Sequence, residues 1–122
     1  MKIVYASRTG NCESIINRLG IDNLMIQNGD EKVKEDVILL TYTDGYGLVP
    51  TEVEEFVEKN KSHIKGVIGS GDTSFGEAFC GAAVTISEEL SIPLIMKIEN
   101  AGTDEEIEEL KKKLEEIKWA KL

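Results

Sequence analysis

Hydroxyl, amide and guanidinium side chains are concentrated in the stretch SRTGN, at positions 7–11. This stretch lies between an apolar segment, KIVYA (2–6), and a segment in which Ile15, Ile16 and Leu19 share one helical face. The first N–H groups of a helix have no carbonyl partner within it, and the positive end of the helix dipole adds to their attraction for an anion. The stretch therefore predicts either a phosphate site or an ordinary capped turn, because Ser, Thr and Asn are also common capping residues.

Two further loops are rich in glycine, and each carries an aromatic residue. In TYTDGYGLVP (41–50) Tyr46 lies between two glycines, and in GSGDTSFGEAF (69–79) Phe75 precedes Gly76. An aromatic residue on such a loop is either a surface residue or one wall of a flat binding site. Two such loops beside a phosphate-type loop favour a planar, phosphorylated ligand. The second loop lacks the glycine spacing of a dinucleotide fingerprint, and the chain has no Walker lysine motif, so triphosphate hydrolysis is not expected.

The hydrophobic pattern alternates between strand-like and helix-like segments. Short apolar stretches predict five strands, at 2–6, 23–27, 36–42, 64–70 and 92–98. Helical spacing predicts four helices, with apolar faces formed by Ile15, Ile16 and Leu19, by Val53, Phe56 and Val57, by Phe79, Ala83, Ile86 and Leu90, and by Ile107, Leu110, Leu114 and Ile117. Thr103 is expected to cap the last helix, which Glu108–Lys112 and Glu109–Lys113 pairs would support.

This alternation predicts an α/β fold in which a parallel sheet has helices on both faces. Five strands and four helices in 122 residues suit a flavodoxin-like doubly wound sheet with the strand order 2-1-3-4-5. We expect one domain over residues 1–122. Because the first, third and fourth strands are neighbours in this order, loops 7–11, 43–49 and 70–76 would meet at the carboxyl edge of the sheet, where such folds bind ligands.

Composition excludes several classes of partner. The chain has 23 Asp and Glu against 14 Lys and Arg, a net charge of −9, which repels nucleic acid and anionic membranes. Its apolar runs are too short to span a bilayer, and no signal-peptide pattern fits the N-terminus. Cys12 and Cys80 have neither metal-ligand nor disulfide spacing. We therefore expect a cytoplasmic monomer with two reduced thiols and no metal site.

Several reactive side chains are expected to have structural roles. His63 is the only histidine and has no evident carboxylate partner, so neither a catalytic nor a metal role is expected. Cys80 is expected to pack on the third helix. The position of Cys12 at a helix N-terminus would lower its thiol pKa, but a redox role is not expected. Tyr42 and Trp119 are expected to pack rather than react.

The three loops carry a resemblance to known proteins. SRTGN followed by SGDTSFGEAFCGAA resembles the phosphate loop and the second flavin loop of flavodoxins. The chain is still more similar to the NrdI family, the small flavodoxin-like activators of class Ib ribonucleotide reductase. TYTDGYGLVP, KGVIGSGDTSFGEAF and ENAGTDEEIEELKK carry this similarity, which runs from about residue 2 to residue 115.

The resemblance implies that the ligand is FMN, and it assigns cofactor-binding residues to the three loops. Those implied to hold the phosphate are Ser7, Arg8, Thr9, Gly10, Asn11 and, through its backbone, Cys12. Those implied to lie beside the isoalloxazine ring, with Tyr46 near one face, are Thr43, Asp44, Gly45, Tyr46 and Gly47. Those implied at the pyrimidine edge, with Phe75 on the other side of the ring, are Ser70, Gly71, Asp72, Thr73, Phe75, Gly76 and Phe79.

The resemblance also implies a function. Reduced FMN would convert dioxygen to superoxide, which would pass to the dimanganese small subunit of the reductase and allow its tyrosyl radical to form. The protein would be a flavoprotein activator, supplied by a flavin-reducing electron donor, rather than a metabolic enzyme. A flip of the Gly45–Tyr46 peptide would present a carbonyl to the reduced ring. Asp72 and Thr73 depart from the Asn and Arg that family members often have, and an acid beside the ring would lower its reduction potential.

Two other functions remain open at this point. A plain flavodoxin would shuttle single electrons to basic partners, and the net charge of −9 suits that role. A flavin-free binding or regulatory domain would keep the fold without the cofactor. Two widely separated one-electron reduction potentials of the flavin would indicate the flavodoxin, and the absence of flavin binding would indicate the flavin-free domain.

Overall fold

The computed structural model describes residues 2–120 and gives side-chain surroundings for residues 2–117. Its sheet contains five parallel strands in the order β2-β1-β3-β4-β5, so the predicted strand order is confirmed. The strands are β1 (Lys2–Tyr5), β2 (Asn23–Met25), β3 (Val37–Tyr42), β4 (Ile64–Gly71) and β5 (Leu94–Glu99). The helices are α1 (Asn11–Leu19), α2 (Thr51–Asn60), α3 (Gly81–Leu90) and α4 (Asp104–Ala120).

Both faces of the sheet are covered by helices. Successive residues of a strand point to opposite faces, so Ile38 and Leu40 belong to one core while Val37 and Leu39 belong to the other. The first core is completed by apolar residues of α1 and α4, and the second by apolar residues of α2 and α3. A strand buried on both faces needs a nearly continuous apolar run, and β3, with the sequence VILLTY, has one over Val37–Leu40.

The start of the third helix differs from the prediction. The helix begins at Gly81, and Cys80 precedes it in a left-handed conformation with φ of 55°. Phe79 lies before this turn, so neither Phe79 nor Cys80 is on the helix. The apolar spacing of Phe79 matches the helical period by coincidence, because periodicity does not register a single reversed φ angle between two apolar positions.

The other boundaries depart by only a few residues. Strand β5 begins at Leu94 because Pro93 has no N–H to donate to the sheet; the Pro93 carbonyl instead accepts a hydrogen bond from Val67 N–H at 3.1 Å. At α4, Thr103 Oγ1 accepts from Glu106 N–H at 3.1 Å, and the Glu106 carboxylate accepts from Thr103 N–H at 3.0 Å. This reciprocal capping box confirms the predicted cap.

Of the two ion pairs predicted on α4, Glu109–Lys113 is present at 3.9 Å, whereas Glu108 lies 3.3 Å from Lys111, one residue earlier than expected. The prediction for Trp119 lies outside the described side chains. Among the described residues, no helix has the length and apolar character needed to cross a membrane.

Candidate functional site

Three loops leave the carboxyl ends of the neighbouring strands β1, β3 and β4. We call them the phosphate-type loop (7–11), the 40s loop (43–49) and the 70s loop (72–79). An ion pair of 2.8 Å between Arg8 and Asp44 joins the first two. Edge-to-face contact between Tyr46 and Phe75, with ring centroids 6.0 Å apart, joins the second and third. The loops that the sequence placed at one edge of the sheet are therefore in direct contact.

The phosphate-type loop ends in a tight turn at the start of α1. Gly10 has φ of 89° and precedes the helix, and its carbonyl accepts the Ser14 N–H at 2.9 Å. The Glu13 N–H is 3.4 Å from Ser7 Oγ. The N–H groups of residues 10–12 come before these bonds and have no carbonyl within the helix. With hydroxyl, amide and guanidinium side chains and no carboxylate among residues 7–12, the donor set suits a phosphate dianion.

Arg8 is turned toward the 40s loop rather than standing free. Besides its ion pair with Asp44, its guanidinium lies 3.5 Å from the Tyr42 hydroxyl and 4.9 Å from the centre of that ring. The hydrogen bonds that Arg8 donates to Asp44 and Tyr42 raise its pKa, so it stays charged. The Tyr42 hydroxyl donates to the Glu52 carboxylate at 2.6 Å, and burial together with this bond raises the tyrosine pKa. The Tyr42 hydroxyl is therefore engaged with Arg8 and Glu52 and is not available as a proton donor, which agrees with the expectation that Tyr42 packs rather than reacts.

The 40s loop is a short antiparallel turn with an aromatic tip. The N–H of Asp44 donates to the Leu48 carbonyl and the N–H of Leu48 to the Asp44 carbonyl, both at 2.8 Å. Between them, Gly45 and Gly47 have φ of 48° and 87°, which L side chains rarely adopt. Tyr46 is 73% exposed and Leu48 is 64% exposed. The turn therefore presents apolar surface outward at the edge of the site.

The base of the 40s loop rests on α3. Thr43 Oγ1 accepts the Ala82 N–H at 3.1 Å, one of the orphan donors at the helix start. A Cβ atom placed on Gly81 would lie 2.8 Å from the Cα of Gly47, so the two backbones are in contact. A side chain at position 81 would push the loop away, which makes Gly81 a determinant of the loop position that the sequence did not reveal.

The 70s loop is ordered by its own polar side chains. The Asp72 carboxylate accepts the Ser74 N–H at 2.9 Å, and this hydrogen bond lowers the pKa of Asp72. The Thr73 hydroxyl donates to the Glu99 carboxylate. Phe75 is 41% exposed. Asp72 and Glu99, the carboxylate that Thr73 contacts, therefore bring negative charge to this side of the site.

The aromatic residues at the two ends of the site touch each other. The Tyr46 and Phe75 rings are inclined by 71° at a centroid distance of 6.0 Å. A flat ring stacked between two parallel faces needs about 7–8 Å between them, twice the usual carbon–carbon contact distance. A planar ligand could lie between these residues only after they separate, and the glycines beside Tyr46 and Phe75 give the backbone at both positions conformational freedom.

Two predicted site residues have buried side chains. The Ser70 hydroxyl donates to the Asn100 carbonyl at 2.6 Å, and Cys12 packs in the core between the sheet and α1. Burial raises the pKa of Cys12 to about 12, so the expectation of a lowered thiol pKa is wrong: desolvation outweighs the helix N-terminus. Burial also raises the pKa of Cys80 to about 11. Any contact of Ser70 or Cys12 with a ligand would have to come from the backbone.

His63 has a carboxylate neighbour that the sequence did not indicate, since its Nδ1 lies 3.8 Å from Asp36. The pair is at the start of β4, the end opposite the three loops. Among the described residues, no cluster of His, Cys, Asp and Glu could hold a metal ion.

A doubly wound parallel sheet with polar and aromatic loops at the carboxyl ends of β1, β3 and β4 defines a flavodoxin-like protein. A solved short-chain flavodoxin associated with a PDU bacterial microcompartment is similar in fold, with a TM-score of 0.65, 24% sequence identity and 93% of each chain covered. The family described as NrdI, flavodoxin-like, matches residues 3–112. The chain therefore belongs to the NrdI flavodoxin-like family of flavin proteins, as its motifs indicated.

Proposed function

We propose that this protein binds FMN at the three loops and activates the small subunit of class Ib ribonucleotide reductase. FMN held by the three loops would, once reduced by an electron donor, supply the electron that turns dioxygen into superoxide, and this oxidant would pass to the dimanganese site and allow a tyrosyl radical to form. The flavin supplies the redox chemistry, and the protein binds, orients and shields it.

The observation that carries the proposal is the contact between the three loops, joined by the Arg8–Asp44 ion pair and the Tyr46–Phe75 ring contact. The phosphate-type loop offers donors without a carboxylate, which suits the phosphate of FMN rather than an uncharged riboflavin. The two aromatic residues suit a planar ring at the same edge of the sheet. Membership of the NrdI family supports the choice of partner.

Within this proposal each loop has a distinct task. Ser7, Thr9 and Asn11, with the N–H groups of residues 10–12, would hold the phosphate. The 40s loop would present backbone groups and Tyr46 to one side of the ring. The conformational freedom of Gly45 permits the Gly45–Tyr46 peptide to change direction. Residues 71–76 would hold the pyrimidine edge.

The alternative is an electron-transfer flavodoxin. Its supporting observation is the set of carboxylates on and beside the loops, from Asp44, Asp72, Glu77 and Glu99, on a chain with a net charge of −9. Such a rim would attract a basic redox partner and steer it to the flavin edge. A widely separated pair of one-electron potentials would favour this shuttle.

The deciding experiment mixes the fully reduced, FMN-loaded protein with its manganese-loaded small subunit and dioxygen, and uses electron paramagnetic resonance to detect a tyrosyl radical. Controls are the small subunit alone and the small subunit with free reduced FMN. A radical that requires the protein supports the activator, whereas no radical from a protein that still cycles its flavin favours the shuttle. Failure to bind FMN at all would contradict both and favour a flavin-free domain.

A further inference from the structure

Arg18, on the last turn of α1, holds a turn that lies far away in the sequence. Its Nη1 donates to the Gly102 carbonyl at 3.2 Å, its Nη2 to the Ala101 carbonyl, and its Nε to the Ser14 carbonyl at 3.3 Å. The Asp104 carboxylate is 3.6 Å away, but it is almost fully exposed and contributes little. The guanidinium fork thus ties α1 to residues 100–102, the turn between β5 and α4.

The same turn is tied to the end of β4. The Asn100 N–H donates to the Gly71 carbonyl at 2.7 Å, and the Asn100 carbonyl accepts the Ser70 hydroxyl at 2.6 Å. Asn100 has φ of 52°, in the left-handed region that asparagine adopts more readily than most residues other than glycine, and its two backbone hydrogen bonds hold it in this turn. Gly71 is the last residue of β4, and Asp72, which follows it, is the first residue of the 70s loop.

We propose that Arg18 is a positioning residue for the 70s loop. Helix α1 begins at the phosphate-type loop, and Arg18 connects that helix, through the turn at Asn100, to the point where the 70s loop starts. The connection fixes the spacing between two of the three loops, which a ligand bound to both must match. That the ligand is FMN rests on the proposed function; that Arg18 orders the 70s loop does not.

The choice of arginine follows from its geometry. Two adjacent carbonyls, of Ala101 and Gly102, accept from different nitrogens of one planar guanidinium, whereas a lysine ammonium is a single point charge on a flexible stem. The proposal therefore predicts that charge alone does not suffice. Methionine and lysine have similar apolar stems, so the two variants differ mainly in charge. Arg18→Lys should therefore recover only part of the loop order and FMN affinity that Arg18→Met loses.

The first measurement is amide hydrogen exchange on the flavin-free protein. In Arg18→Met, the N–H groups of Asn100 and Ser74 should exchange at least about fivefold faster than in the wild type, because the first bonds to Gly71 and the second to Asp72. The Val33 N–H, which donates to Asn60 Oδ1 at 3.0 Å in a segment remote from the loops, should exchange at the wild-type rate.

A matched control removes a different polar side chain that bridges distant segments. Asn60 is buried on α2, and its amide bonds to Val33, Glu31 and Phe56 but to none of the three loops. Asn60→Ala should lower the unfolding free energy without changing exchange at positions 74 and 100.

The second measurement is FMN binding, followed by quenching of flavin fluorescence. Arg18→Met should weaken FMN binding about tenfold, which corresponds to about 1.4 kcal/mol, while Asn60→Ala should leave it unchanged. Wild-type exchange rates at positions 74 and 100 in Arg18→Met would overturn the proposal. Equal losses of FMN affinity in Arg18→Met and Asn60→Ala would also overturn it, because they would indicate a general effect on stability.

A wild-type protein that does not bind FMN would instead contradict the proposed function, and the exchange rates would still decide the role of Arg18. If Arg18→Met does not fold, Ser70→Ala can be used instead, because it removes the hydrogen bond between the end of β4 and the carbonyl of Asn100 in the same turn. Faster exchange at Ser74 in that variant would support the proposal, and unchanged exchange would overturn it.

Discussion

The close approach of α3 to the 40s loop leads to a sharp prediction for Gly81→Ala. The new methyl group would lie 2.8 Å from the Gly47 Cα and 3.1 Å from its carbonyl oxygen. Ordinary carbon–carbon contacts are about 3.5–4.0 Å, so one backbone must move by roughly 0.7 Å or more. Backbone cannot rotate aside as the end of a side chain can, and the strain must therefore displace the 40s loop or the helix start.

We expect Gly81→Ala to lower the free energy of unfolding by about 1–3 kcal/mol, the usual range for an inserted methyl group that forces a backbone shift. Urea denaturation measures this as a lower midpoint with an unchanged slope. The Ala82 N–H, which donates to Thr43 Oγ1, should exchange faster with solvent. Because the same displacement moves the proposed ring-binding turn, FMN affinity should fall about tenfold, or about 1.4 kcal/mol.

Gly66→Ala is the matched control. A Cβ atom at position 66, near the start of β4, would also lie 2.8 Å from a neighbour, but that neighbour is Cδ1 of Ile95 on β5, the movable end of a side chain. This variant should lose less stability and bind FMN as the wild type does. If Gly81→Ala matches the wild type in both midpoint and FMN affinity, the glycine contact does not set the position of the 40s loop.

Three other substitutions or conditions test separate parts of the structure. Ser91 has φ of 54° at the C-terminus of α3, so Ser91→Gly should raise the unfolding free energy by about 0.5–1 kcal/mol, and a lower urea midpoint would contradict this. Asp44→Asn releases Arg8 from a half-exposed ion pair and should tighten FMN binding about two- to fivefold while leaving riboflavin binding unchanged; equal effects on both ligands would refute competition for Arg8. Burial raises the pKa of Cys12 from 9.0 to about 12, so its contribution to stability is complete below pH 9 and is lost as the pH rises toward 12. The urea midpoint of the wild type should therefore fall more over this pH range than that of Cys12→Ala, and an equal fall in both proteins would contradict the prediction.

The parallel sheet covered by helices on both faces was predictable from the pattern of burial, whereas the strand order 2-1-3-4-5 came from the likeness to flavodoxin-like folds, because hydrophobic periodicity does not give strand order. A mainly apolar strand such as β3 needs cover on both faces, and alternation with helices then leaves few topologies. The meeting of the three loops followed from that strand order, since the carboxyl ends of neighbouring parallel strands lie at one edge of the sheet. The reversed backbone at Cys80 was not predictable, because apolar spacing continues through it and cysteine carries no signal for a positive φ.

The contacts that fix the loops were also beyond the sequence. Arg18 binds carbonyls 83 and 84 residues away, and a backbone carbonyl has no residue-type signature. The Arg8–Asp44 pair depends on side-chain directions within two loops, which periodicity does not describe. Gly81 was visible as a glycine, but its need for a bare backbone depends on Gly47, which approaches from a separate loop.

The two buried thiols have a consequence for the durability of a flavin protein. Oxidation of cysteine proceeds through the thiolate, and a pKa of about 12 for Cys12 leaves roughly one molecule in 100,000 in that form at pH 7. Cys80 is likewise buried, at the start of α3, with a pKa of about 11. If the flavin releases superoxide at this edge of the sheet, the cysteines nearest its source are in their least oxidisable state. The burial that packs these helices against the sheet would then also protect the protein from its own product.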